Sequence, residues 1–167
     1  MKHLAIFSFA LLVFPGVACA DTLTAANVSH DLDVRGAKST VNTLDRTGRF
    51  DKVLDRIAAG QSVWIQLAPR LAKGTDAGHS TGLTVALAQA LPRNPQAVLA
   101  VLDDGPVIGA DAVCSAPFIE PAPDEVSAYL GSAIAAVKGV RMSARFASKT
   151  ACLAVLEQAR ADSQATQ

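Results

Sequence analysis

The chain has 167 residues, with 15 basic and 15 acidic side chains; half of its residues are hydrophobic and only 5 % are aromatic. That balance excludes the basic footprint of a nucleic-acid-binding protein and a long basic membrane-binding patch. The length suits one domain with a real core and is too short for two comfortable ones.

The first twenty residues read as an export signal. Met1, Lys2 and His3 give a basic start, an apolar run covers residues 4–13, and Ala18-Cys19-Ala20 supplies a small-residue cleavage site before Asp21. The apolar run is too short to span a bilayer comfortably, and no later stretch of about 20 apolar residues exists, so no transmembrane segment is expected. Lipid anchoring at Cys19 is disfavoured, because Gly16 stands where a lipoprotein signal wants a leucine-like side chain. Cleavage after Ala20 leaves a single helical domain over residues 21–167 with 14 basic and 15 acidic residues, placed in the periplasm or secreted. Two cysteines remain, Cys114 and Cys152, and in an oxidising compartment their pairing is the economical expectation. The closed loop is worth roughly 4 kcal/mol in the chain-entropy model, an upper figure if the reduced chain keeps residual structure.

Residues 21–33 are polar and weakly patterned, with a short helix or a tether as the alternatives, and His30 among its acidic neighbours reads as an exposed side chain. A helix is expected over residues 35–46, with Val41 and Leu44 inward and Gly48 interrupting it. Residues 49–103 are the packing centre. Phe50, Val53, Leu54 and Ile57 follow the i, i+3, i+4, i+7 spacing of one buried face, and Gly60 suits a left-handed cap. Val63, Trp64, Leu67, Ala68 and Leu71 form the next stripe, where Pro69 predicts a kink or two short helices. Trp64 is in phase with that stripe and reads as core.

Residues 73–79 form a loop, after which Ser80 or Asp76 caps a helix carrying Leu83, Ala86, Leu87, Ala90 and Leu91 inward until Pro92. Asn94 caps a further segment with Pro95 in its first turn and Val98, Val101 and Leu102 on its apolar edge. Asp103-Asp104-Gly105-Pro106 is a turn signal. Residues 107–123 lack a sustained period and read as a crossing loop pinned by the disulfide. Asp124 starts a helix with Val126, Tyr129, Leu130, Ala133, Ile134 and Val137 inward. Ser143 caps the last one, with Phe146, Leu153 and Leu156 inward, before a polar tail that frays from Ala161. The fold class is therefore all-α: a compact bundle or irregular stack of about six short helices with one disulfide-pinned loop. A minority alternative makes the valine-rich residues 97–101 a strand.

Chemistry-bearing patterns are sparse. Gly78-His79-Ser80-Thr81-Gly82 resembles, over five residues only, the nucleophile elbow of the alpha/beta-hydrolase family, which implies Ser80 as nucleophile of a small serine hydrolase. That family needs a buried strand before the serine and a histidine after it. Residues 68–73 do not read as such a strand, and no histidine follows His79. A helix start explains Ser80 without an active site. The weak binding candidates are Asp76 and His79, at the spacing of a ligand pair, and Asp103, Asp104 and Glu120 around the irregular loop. No metal-binding frame or cofactor fingerprint is present, so no metal and no cofactor are expected. The favoured expectation is a non-enzymatic protein-binding module whose partner is another envelope or secreted protein, such as an inhibitor or immunity-type partner of an envelope-acting enzyme.

Overall fold

A computed structural model describes residues 23–141 and 147–165. The expected export signal, with Cys19, and the expected roles of Ser143 and Phe146 fall outside those residues. Ten helical segments occur among the described residues: α1 Ala25–Arg35, α2 Ala37–Arg46, α3 Phe50–Ala58, α4 Ser62–Ile65, α5 Ala68–Ala72, α6 Ala77–Ala90, α7 Pro95–Leu99, α8 Ala110–Val113, α9 Pro123–Gly139 and α10 Ala147–Ala165. The all-α class holds, and the count of about six is corrected upward.

Local chemistry accounts for the extra segments. The polar lead-in is a full helix, capped by the Thr24 hydroxyl accepting from the Asn27 N–H at 3.1 Å. Gly36, at φ 78°, separates that helix from α2. Around Pro69, which lies in the first turn of α5, the stripe beginning at Val63 divides into α4 and α5, the second of the two outcomes that proline predicts. Gly60 takes the expected left-handed conformation, φ 79°, after α3. Asn94 caps α7 by accepting from the Ala97 N–H at 3.2 Å, while its amide donates to the Gly60 carbonyl and the Ser62 hydroxyl, both at 2.9 Å. One side chain thus fastens the joint before α4 to the start of α7.

The core is one continuous apolar cluster. Helix α6 runs through it with Leu83, Thr84, Ala86, Leu87, Ala88 and Ala90 buried, and a helix enclosed on so many sides has no strongly polar face. Helix α3 packs on α6, α9 on α10, α8 on α10, and α1 and α5 on α2. Trp64 is buried in this core as expected, but Val63 is 58 % exposed. The buried side of this short helix runs through Trp64 and Ile65, which turns Val63 outward, so the stripe through Val63 is corrected. Residues 97–101 continue from helix into a turn, and no strand occurs among the described residues. Val101 and Leu102 lie half-buried beyond the end of α7.

The chain after residue 102 is more ordered than a crossing loop. Asp103 forms an isolated parallel bridge with Gly109, and the Thr84 hydroxyl donates to the Val107 carbonyl at 2.6 Å, tying this turn to α6. Cys114, at the end of α8, is bonded to Cys152 in α10, with 5.4 Å between their Cα atoms. Helix α10 stays helical to Ala165, so the described part of the expected polar tail is not irregular. Its Lys149, 8 % exposed, donates to the carbonyls of Lys138 and Val140. Those are carbonyls at the end of α9, where helical partners run out and positive charge is favoured. No helix among the described residues is long and apolar enough to cross a membrane.

Candidate functional site

Two regions gather the chemistry anticipated around Asp76, His79, Ser80 and Glu120. The first is the start of α6. Asp76, in extended backbone, is its N-cap, and its carboxylate accepts from the His79 N–H at 3.1 Å. The cap is therefore Asp76 and not Ser80, which lies inside the first turn. The Asp76 Oδ1 also meets His79 Nδ1 at 2.9 Å, and His79 Nε2 meets Asp45 Oδ1, from the end of α2, at 3.2 Å. Phe50 stands edge-on to the imidazole at 4.8 Å, and the His79 side chain is 19 % exposed.

Both ring nitrogens therefore face carboxylate oxygens. Only the imidazolium donates from both at once; the neutral ring has one N–H. The Asp76 carboxyl is held below its ordinary value chiefly by the His79 backbone N–H; desolvation opposes this, and the charge and hydrogen bond of the ring add smaller lowering effects. Because the two aspartates sit on opposite ring nitrogens, they cannot ligate one ion together with His79. No cluster of three or more His, Cys, Asp or Glu placed to hold a metal occurs among the described residues.

Ser80 is half-buried, and its Oγ lies 2.7 Å from the Thr75 hydroxyl. No hydrogen bond joins it to a histidine among the described residues, while His79 is engaged by acids on both sides. A nucleophile needs a base within reach of its proton, and this serine has a threonine there. Of the two glycines around it, only Gly82 has a packing explanation, since a Cβ on Gly78 would meet nothing closer than Asp76 Oδ1 at 3.8 Å. Gly78 lies in the exposed first turn of α6, and a Cβ on Gly82 would come within 2.8 Å of Leu54 Cδ1. Gly82 thus marks the close approach of α3 to α6.

The remaining acids separate. The Asp103 carboxylate accepts from the Gly105 N–H at 2.7 Å, and its own N–H donates to the Ile108 carbonyl at 3.2 Å, so it builds the turn it stands in. Asp104 is exposed beside it. Neither hydrogen-bonds nor pairs with Glu120 among the described residues.

Glu120 belongs to the second region, an open groove of about 800 Å³. One side comes from Gln89, Pro92 and Arg93 at and beyond the end of α6, the other from residues 118–121 with Glu125, Tyr129 and Ser132 of α9. Tyr129 closes its floor by donating to the Ala88 carbonyl at 3.1 Å, and burial raises its phenol well above the ordinary value. Phe118 meets that ring edge-to-face at 4.7 Å.

Between these anchors Ile119 projects 79 % exposed. Two non-glycine residues of the loop, Ala116 and Glu120, have φ of 57° and 48°, a conformation costing roughly 1–2 kcal/mol each. The loop is held between the disulfide at Cys114 and the start of α9, where Glu125 accepts from the Ala122 N–H at 3.3 Å.

Of the residues singled out from the sequence, the structure joins Asp76 to His79 and places Glu120 in the groove. Asp45, Arg93 and Ile119 were missed. Asp45 lies 34 residues before His79, with no local signal linking them. The Ala-Pro-Phe-Ile-Glu-Pro run of residues 116–121 did carry a signal, an apolar pair between two prolines. No family model matches the chain, and neither a curated protein nor a solved structure does.

Proposed function

We propose that the chain is an exported protein-binding module of the cell envelope that acts by holding another protein. The observation supporting this reading is Ile119, exposed on a loop whose ends are tied down by Cys114 and α9 and whose side is an open groove. A large apolar side chain held out in this way gains from contact with a partner, and a loop already fixed loses little conformational entropy on binding. An inhibitor or immunity-type protein that neutralises an enzyme in its own compartment is the concrete form of this reading, and no catalytic step is required of it.

The test is capture from an envelope extract with the immobilised, oxidised chain, set beside Ile119→Asp. The expected outcome is an envelope protein retained by the wild type and lost from the variant. Equal retention by both chains removes this surface from the reading. The hydrolase alternative has its own measurement: ester, amide and glycan hydrolysis by the wild type and Ser80→Ala. An activity abolished by that substitution would replace the binding reading with an enzymatic one.

A further inference from the structure

The groove and the loop tip beside it carry groups of matching kind, apolar with apolar and acidic with basic. The tip of the loop carries an apolar and an acidic group in succession, Ile119 and Glu120. Across the groove stand an apolar and a basic group in succession, Pro92 and Arg93. Within one molecule these two pairs line the same groove without meeting. The Arg93 guanidinium donates to the Gln89 carbonyl of its own chain, and neither Arg93 nor Glu120 forms an ion pair among the described residues. Arginine has five N–H donors, so a carboxylate can still be accommodated. Knob and cleft also lie on one face, as a two-fold contact requires, since there residue i meets j and j meets i.

We propose that this face is self-complementary and that its partner is a second copy of the chain. Ile119 of each copy enters the other's groove against Pro92 and Tyr129, and Glu120 reaches the other copy's Arg93. The contact occurs twice across the axis. The Phe118–Tyr129 ring contact and the disulfide at Cys114 hold the tip in its projecting form before association, against the strained φ at Ala116 and Glu120. This inference rests on the reading of the groove as a protein-binding surface and names the protein.

Sedimentation velocity on the full chain as purified from cells, with its disulfide formed, tests it from about 1 to 200 µM. The expected result is a reversible dimer whose dissociation constant rises at least about tenfold in Ile119→Asp and in Arg93→Glu. The double variant Arg93→Glu/Glu120→Arg is expected to recover most of that loss, which a merely misfolded chain would not do. Circular dichroism of each variant checks that the helices are intact. A wild type that stays monomeric over the whole range, or a dimer indifferent to Ile119→Asp, overturns the proposal. A monomer that still captures an envelope protein through Ile119 overturns self-association alone, and a monomer that captures none removes the binding reading with it.

Discussion

Tyr129 joins α9 to α6 through one hydroxyl, and that hydroxyl makes the pH behaviour of the joint testable. Burial raises its ionisation well above the ordinary 10.0, so in strong base the unfolded chain loses the proton first. The stabilising difference is fully present below about pH 10 and is lost as pH rises further. Tyr129→Phe is expected to cost about 1 kcal/mol at neutral pH, since the Ala88 carbonyl keeps its Leu91 N–H, and to flatten the alkaline decline. Urea unfolding of both chains at neutral and alkaline pH checks this, and equal alkaline slopes would refute the assignment. Asp76 has the opposite sign. Its folded value is lowered by the His79 N–H and ring, so its contribution is present above the unfolded value of 3.8 and disappears as pH falls through the folded one. Asp76→Asn keeps an N-cap acceptor while removing the charge. Thermal unfolding from about pH 5 down to 2.5 should show a shallower acid decline in that variant.

At the scale of elements, two glycines separate a strict steric demand from a soft one. A Cβ on Gly74, between α5 and α6, would lie 2.4 Å from the carbonyl carbon and oxygen of Ala37 at the start of α2. Backbone cannot swing aside there, so Gly74→Ala is expected to cost about 1–3 kcal/mol. At Gly82 the obstacle is only the end of the Leu54 side chain, 2.8 Å from the added atom. Helix propensity favours alanine there by up to about 1 kcal/mol, so Gly82→Ala should remain within about 1 kcal/mol of the wild type. Chemical denaturation of the two variants side by side decides it, and a costly Gly82→Ala would mean that α3 and α6 cannot adjust. The polar lead-in helix α1 is fixed from a distance by polar contacts instead. Arg70 of α5 donates to the Ser29 hydroxyl and carbonyl at 2.9 and 3.2 Å and pairs with Asp33 at 2.6 Å, holding α1 against the body.

Across the whole molecule, the Cys114–Cys152 bond links α8 to the last helix over a separation of 38 residues. Reducing it, or the double substitution of both cysteines to serine, should lower the unfolding free energy by up to about 4 kcal/mol. Denaturation with and without reductant measures this; an unchanged midpoint would mean that packing of α10 on α9 suffices. The Lys138–Glu157 pair at 2.9 Å joins those two helices on the surface, where an exposed pair adds little. Helical class, the inward stripes of α3, α6 and α9, the cap at Asn94, the break near Pro69 and the pairing of the two cysteines were all legible in the sequence. Each depends on spacing within a few turns, on one residue's backbone or capping preference, or on there being only two cysteines after residue 20. Val63 was misplaced because a stripe continued on paper across a joint at which the helix turns away. Ser80 passed for a cap because two acceptors stood four residues apart and only tertiary context selects between them. The Asp45–His79 contact, the Lys149 seat on α9, the approach of Gly74 to Ala37 and the groove beside Ile119 were decided by the tertiary structure alone. They join residues distant in sequence through contacts that no local period encodes, and they exist only once α2, α6, α9 and α10 have packed.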